Sequence, residues 1–193
     1  METAYFERKK FANNDFREHP PLKGDYEECV FAGCDLGGMN LGGYNFIGCR
    51  FEECNLSLSK LGQTGFRDTQ FINCKLMGLH FGECNGLGNS FRFERCNLRN
   101  SSFYKTSLKK TLFLSCDLQE TDFAACDAAG AIFEHCNLRL AIFDNTNLEK
   151  ADFRGSVNFS IDPLRNKIRK ARFSLSGLPG LLSQYDLEID HAD

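Results

Sequence analysis

The chain has 193 residues, which is enough for one domain with a sizeable hydrophobic core. Its net charge of -3 argues against a general nucleic-acid or membrane binder. Ten cysteines would suit a secreted disulfide scaffold, but the start of the chain has no apolar signal region, and no apolar run reaches the length of a membrane span. We therefore expect a cytoplasmic protein with reduced thiols.

A large apolar residue recurs at every fifth position through most of the chain. Phe6 belongs to this register, Pro20-Pro21 interrupts it, and it then runs from Phe31 to Phe81 at five-residue intervals. Because proline supplies no N–H donor to a strand ladder, we expect the interruption to be an irregular corner or part of a cap.

A period of five fits neither an α-helix nor a plain strand. It predicts a short extended segment followed by a corner, with two side chains pointing inward: the large centre and a small residue two positions before it. All ten cysteines occupy the small position, which Ser, Thr or Ala fills elsewhere. Free Cys behaves as a small buried hydrophobe, so the cysteines are expected to be buried and reduced. Disulfides between stacked cysteines are geometrically conceivable but unnecessary in a reducing cell.

Four such units would make a square coil of twenty residues, with stacked coils bonded backbone to backbone at about 4.8 Å. Identical side chains that recur at intervals of twenty would then stack on one another. One such series is Phe31, Phe51, Phe71 and Phe91, and a second is Phe93, Phe113, Phe133 and Phe153.

The register shifts by two residues between Phe81 and Phe93. Turn-forming signals in this stretch predict a two-residue bulge or small loop near 85–92. The bulge is either a corner that tolerates an insertion or a contact element for a partner. Its candidate residues are Asn85, Gly86, Leu87 and Gly88.

The repeat dissolves after Ser156, and the open end of a coil needs a cap. We expect a last irregular coil over 158–175, a short helix over 176–185 and a strand-like end over 186–189. A helix this short is stable only when it is packed, so its apolar face is either cap core or a dimer contact. That face carries Leu178, Leu181, Leu182 and Tyr185.

No constellation of catalytic residues is recognisable. The closest cysteines are five positions apart on successive walls, unlike the pairs of a metal site, and none of the four histidines lies at a recognisable spacing from a nucleophile. Glycine motifs for phosphates or dinucleotides are absent from the sequence. We therefore expect a protein that is not an enzyme and that uses no metal and no cofactor.

Acidic residues dominate positions 117–152, and several of them directly precede a repeat centre. We predict an acidic stripe that faces a basic partner. The alternative is that these carboxylates lie on solvated faces and satisfy backbone donors at the corners. The candidates are Asp117, Asp122, Asp127, Glu134, Asp144 and Asp152.

The five-residue unit resembles the A-(D/N)-L-x-x unit of the pentapeptide-repeat family. The close matches are Cys-Asp-Leu at 34–36, Cys-Asn-Leu at 54–56, 96–98 and 136–138, and Ala-Asp-Phe at 151–153. This resemblance implies an all-β fold, a right-handed quadrilateral parallel β-helix over residues 1–157. It leaves residues 158–193 as a C-terminal cap and dimerisation segment.

Several segments also look like Qnr-type and especially albicidin-resistance-type proteins. They are Phe-Ser-Ile-Asp-Pro at 159–163, Ala-Arg-Phe-Ser-Leu at 171–175, Cys-Asn-Leu-Ser-Leu at 54–58 and Phe-Ile-Asn-Cys-Lys-Leu at 71–76. The resemblance implies a homodimer, joined through the C-terminal helix, that binds DNA gyrase and topoisomerase IV and protects them from inhibitors. It implies a protein partner, with no direct nucleic-acid contact and no membrane contact.

A square rod about as thick as duplex DNA, with regularly spaced carboxylates, could occupy a groove made for phosphates. Two rods joined tail to tail would span ~70 Å, comparable to about twenty base pairs at the 3.4 Å rise per base. The alternative is a scaffold that binds another protein through one flat face, since a fold alone does not define a function. A continuous negative stripe along the rods favours mimicry, whereas alternating charge favours the scaffold.

Overall fold

The computed structural model describes residues 4–85 and 88–190, and its regular structure consists of short strands joined by tight corners. Three short 3-10 helices lie at Phe81–Glu83, Leu175–Leu181 and Ser183–Tyr185. The strands are β1 Ala4–Glu7, β2 Lys10–Ala12, β3 Gly24–Glu27, β4 Val30–Ala32, β5 Asn45–Ile47, β6 Arg50–Glu52, β7 Gly65–Arg67, β8 Thr69–Ile72, β9 Phe91–Glu94, β10 Leu112–Leu114 and β11 Ile132–Glu134.

The strands form two parallel sheets on different walls of one solenoid. The order is β1-β3-β5-β7 in one sheet and β2-β4-β6-β8-β9-β10-β11 in the other. Residue i pairs with residue i+20, as Phe31 does with Phe51. Single parallel bridges with the same offset, such as Asp35 with Asn55, join the coils on the other walls. The predicted fold class, a quadrilateral parallel β-helix with twenty residues per coil, is confirmed.

We number the four walls of the rod as faces 1 to 4 in chain order. Face 1 is centred on Phe31, face 2 on Leu36, face 3 on Leu41 and face 4 on Phe46, together with the residues stacked above and below each. At most corners, two residues after the centre, the backbone enters the left-handed region, as at Gly33 (φ 62°). These corner side chains point away from the core, so they form the edges of the rod.

An unbroken column of phenylalanine rings runs up face 1. Neighbouring ring centroids lie 4.7 to 5.4 Å apart, and the ring planes are within 14° of parallel. Because aromatic pairs contribute about 0.5–1.5 kcal/mol each beyond their area burial, the column stabilises the rod along its whole length. Its members are Phe11, Phe31, Phe51, Phe71, Phe93, Phe113, Phe133, Phe153 and Phe173.

All ten cysteines are free and buried, as predicted. The Cys49 thiol lies 3.1 Å from the Tyr26 carbonyl oxygen, and the Thr64 hydroxyl donates to the Leu41 carbonyl at 2.7 Å across the same offset of 23 residues. Cys, Ser and Thr are therefore interchangeable at this position because each supplies a small donor to the coil below. Burial raises the pKa of the Cys49, Cys84 and Cys126 thiols to about 12.

The register shift appears as a change of pairing offset from 20 to 22, with Thr69 opposite Phe91 and Phe71 opposite Phe93. The expected stacking of Phe91 on Phe71 is therefore wrong, and Phe93 takes that place. Phe91 instead occupies the inward position that a small residue fills in other coils, and its side chain is buried there, with 6% exposed.

The backbone around the shift is held by specific contacts. The Asn85 N–H donates to the Thr64 carbonyl at 2.9 Å, and the Asn89 side-chain oxygen accepts from the Phe66 N–H at 3.0 Å. Gly88 adopts a left-handed φ of 77°, a conformation that glycine adopts without strain. Gly86 and Leu87, which belong to the predicted contact element, lie outside the described residues.

At the C-terminal end the coil continues beyond the boundary expected at 157. Asn147 still bridges to Lys167, and Asp152 to Arg172. The closing turns are 3-10 helices that include Pro179, rather than one α-helix. The predicted strand-like end is wrong, because residues 186–190 form no regular structure. No helix in the described part of the chain is long and apolar enough to cross a membrane.

The cap is anchored at Phe159. The Ile161 N–H donates to the Gly180 carbonyl at 2.9 Å. A side chain at Gly180 would place its Cβ 2.4 Å from the Phe159 carbonyl oxygen, so only glycine allows this close approach.

Candidate functional site

The carboxylates that precede the repeat centres have a local structural role. The Asp122 side chain accepts the Ala124 N–H at 2.8 Å, and Asp117 accepts the Gln119 N–H at 3.2 Å. Asp127 and Asp152 make the same bond two residues ahead, at 3.3 and 3.1 Å. These are the bonds expected if the carboxylates satisfy backbone N–H groups at the corners, and they explain why Asp and Asn recur at this position.

The six predicted acids do not form one stripe. Because each pentapeptide turns a corner, Asp117 lies on face 2, Asp122 on face 3 and Asp127 on face 4. Glu134 and Asp152 share face 1, and Asp144 lies on face 3. The prediction of a single stripe is therefore corrected to a distribution over all four faces.

Three of these acids are compensated by nearby cations. Asp127 lies 3.0 Å from Lys109, and Asp144 lies 2.6 Å from Arg165. Asp152 lies 2.7 Å from Arg154, whose hydrogen bond holds the pKa of the carboxyl below its ordinary value.

The uncompensated charge is concentrated where face 2 meets face 3. We define the acidic corner as Asp117, Glu120 and Asp122. Within the described residues no Lys or Arg lies within 4.0 Å of Glu120 or Asp122, and the Asp117 carboxylate is 3.9 Å from Arg99. Glu120 belongs to the acidic run at 117–152 but is not among the six predicted site residues. Its position two residues after Leu118, at an exposed corner, is the signal that could have identified it.

The residues of the C-terminal segment divide between the core and the solvent. Leu181 packs against the core cluster, so it belongs to the cap. Leu178, Leu182 and Tyr185 are 41%, 37% and 51% exposed. Together with Leu175 and Ile189, Leu178 and Leu182 line an apolar groove of about 750 Å³.

No group of three or more His, Cys, Asp or Glu side chains suited to a metal ion occurs in the described ranges. The thiols form an internal ladder, with Cys34, Cys54 and Cys74 in successive coils.

A coil of four pentapeptides with small and large inward positions defines the class of this protein. The family model described as "Pentapeptide repeat region" matches residues 44–123 and 89–158, which together exceed half of the chain. The chain belongs to the pentapeptide-repeat family. No curated protein matches it.

Several solved structures are similar to the chain. A trypsin-treated variant of QnrB1, a plasmid-mediated fluoroquinolone resistance protein, is 20% identical, with a TM-score of 0.49 and coverage of 97% of this chain and 98% of that chain. Full-length QnrB1 is 16% identical, with a TM-score of 0.43 and coverage of 95% and 100%. HetL, involved in heterocyst differentiation regulation in the cyanobacterium Nostoc, is 15% identical, with a TM-score of 0.35 and coverage of 90% and 87%.

Proposed function

We propose that this protein binds DNA gyrase, topoisomerase IV or both as a DNA mimic in the cytoplasm, and protects the enzyme from quinolone-type or albicidin-type inhibitors. The acidic corner carries the proposal, because it places three carboxylates on the edge of the rod, and two of them, Glu120 and Asp122, have no Lys or Arg within 4.0 Å among the described residues. A site that binds DNA phosphates presents cations, which attract such carboxylates before contact and orient the rod.

The dimensions of the rod support the proposal. The phenylalanine column spans eight coil steps, or roughly 38 Å at the strand spacing. Two rods joined through their C-terminal segments would reach roughly 77 Å, the length of about 22 base pairs. Leu178, Leu182 and Tyr185 are the proposed dimer contacts, since a contiguous exposed apolar patch marks an interaction site. The bulge at 85–92 stays a prediction as a second contact element.

A supercoiling assay with purified gyrase, with and without a gyrase poison, tests the proposal. The test variant is Asp117→Asn, Glu120→Gln and Asp122→Asn, which removes charge while the side-chain oxygens can still accept the corner N–H groups. Three exposed charges at roughly 0.5 kcal/mol each predict about a tenfold rise in the protein concentration needed for half-maximal effect.

The matched control neutralises Glu18, Glu53 and Glu83, three exposed carboxylates elsewhere on the rod. It should act like wild type, because its three carboxylates lie outside the acidic corner. Since net charge changes by the same amount in both variants, a difference between them reflects the position of the charges. If wild type at micromolar concentration neither inhibits gyrase nor protects it from the poison, the proposed function is wrong.

The charge pattern also favours a second candidate, a scaffold for another protein. Acids and cations are mixed over the four faces, and four of the six predicted acids lie within 4.0 Å of a Lys or Arg. A dimer without any effect on supercoiling or on poison sensitivity would support this scaffold and exclude topoisomerase protection.

A further inference from the structure

Cations without close partners gather at the C-terminal end of face 4. Lys167 and Arg169 flank the last centre of that face, Ile168, and Lys150 and Lys170 stand at successive corners of the same edge. No carboxylate lies within 4.0 Å of these four cations in the part of the chain that the structure describes. We define the basic patch as Lys150, Lys167, Arg169 and Lys170.

The patch extends down the face toward Lys110. A side chain added at Gly130 would meet the Lys110 Cγ at 3.7 Å. The aliphatic part of Lys110 therefore lies beside Gly130, the corner residue between Lys110 and Lys150. Over residues 107–170 the outward positions of face 4 carry six cations against two carboxylates. Asp127 is bound to Lys109, and Glu149 lines the same surface depression as Lys150, Arg169 and Lys170. The net charge of -3 does not show this local excess of cations, because it is a sum over the whole chain.

We propose that the basic patch binds the phosphate backbone of duplex DNA without reading its sequence. With Lys109 and Lys110 included, the cations of face 4 extend over three coil steps, or about 14 Å, along which one DNA strand presents about four phosphates at a 3.4 Å rise. The four cations of the basic patch itself lie on the last two coils of this span. Arg169 can bind a phosphate with two parallel hydrogen bonds, and the lysines act as point charges. This inference does not depend on the proposed topoisomerase function.

Duplex DNA fits the patch better than single-stranded nucleic acid. Proteins that bind single strands without sequence preference stack the bases on aromatic side chains. The outward residues of face 4 between 107 and 170 include no aromatic residue, and they form a straight ladder of charges.

The other occupant of suitable charge is the acidic end of the same face in a second copy. That end is already bonded internally: the Tyr5 hydroxyl donates to Glu27 at 2.7 Å, and Arg8 bonds to Glu28 at 2.6 Å. The Asp25 carboxylate accepts from the Asn45 side chain at 2.7 Å. These contacts already occupy part of the accepting capacity of the three carboxylates, whereas DNA phosphates are free to accept hydrogen bonds from the patch.

The test measures fluorescence anisotropy of a labelled 20-base-pair duplex with the full chain at 50 and 200 mM salt. For four phosphate contacts, affinity should fall about 150-fold between the two concentrations. The patch variant carries Gln at all four positions and should bind at least tenfold more weakly at 50 mM, with little remaining salt dependence. Because all four side chains are exposed, the variant should keep the wild-type melting temperature.

The matched control carries Gln at four exposed lysines elsewhere: Lys9, Lys10, Lys60 and Lys75. Wild-type affinity in this control supports a local site. Equal loss in both variants would mean that only total charge matters, and absence of salt-dependent binding by wild type would also overturn the proposal. If polyglutamate displaces the duplex as well as unlabelled DNA does, the patch recognises acidic protein instead. Equal affinity for a single strand would reject the assignment to duplex.

Discussion

Replacement of Phe91 by threonine should destabilise the rod, although the substitution brings position 91 closer to the repeat. The aligned inward positions in the neighbouring coils are Thr69 and Thr111, so the repeat alone predicts that Phe91→Thr is harmless or favourable. The structure predicts the opposite, because the ring fills space beside the register shift.

The magnitude follows from the surroundings of the ring. Its centroid lies 5.4 Å from that of Phe81, 5.8 Å from that of Phe93 and 6.0 Å from that of Phe66. Truncation of a buried Phe costs about 3–5 kcal/mol, and threonine, which is larger than alanine, should cost about 3 kcal/mol. At about 2–4 °C per kcal/mol for a chain of this size, the melting temperature should fall by about 6–12 °C.

Urea unfolding followed by circular dichroism, together with thermal melting, measures this effect. Thr69→Cys is the matched control, because Cys49 fills the same inward position one coil below with the same kind of donor. A volume-conserving exchange of this kind should cost less than about 1.5 kcal/mol. If Phe91→Thr unfolds at the wild-type urea concentration or above it, the ring does not fill the break as argued.

The core could be predicted from the sequence because each pentapeptide encodes its own corner and its own two inward side chains. Phe113 and Phe133 are twenty residues apart and stack at 5.0 Å, as the coil length requires. The exception is Phe91, which the sequence series of twenty assigns to the column above Phe71. Backbone pairing after the shift decides between Phe91 and Phe93, and the spacing of like residues does not contain that information.

The prediction of an acidic stripe was wrong, and the reason follows from the coil length of twenty residues. Residues share a face only when they are about twenty positions apart, so Asp117, Asp122 and Asp127 had to lie on successive faces. Which acids remain uncompensated could not be predicted in full, because the cations beside Asp127 and Asp144 come from neighbouring coils. Arg165, for example, reaches Asp144 from 21 residues away.

The alternating Leu187 and Ile189 suggested a strand at the C-terminal end, but alternation alone does not provide a paired neighbour. The cap instead depends on Gly180 and Phe159, whose close contact is not part of the repeat. The regular interior was therefore predictable, whereas the surface pairs and the closing segment depend on contacts between coils.

Two further predictions follow from burial. The ordinary thiol pKa is 9.0, and burial raises it to about 12 in Cys49, Cys84 and Cys126. These thiols ionise near pH 9 in the unfolded chain but stay protonated in the fold, so their stabilising contribution is complete below pH 9 and is lost toward pH 12. The urea midpoint should fall over this range, less steeply with threonine at all three sites, and a midpoint unchanged from pH 7 to 10.5 would contradict the argument. In light scattering, Leu182→Glu should give a monomer whose melting temperature no longer depends on protein concentration. Leu181→Glu should lower the melting temperature further, because only Leu181 packs against the core. A dimer that persists with Leu182→Glu would remove that residue from the interface and leave the segment as a cap alone.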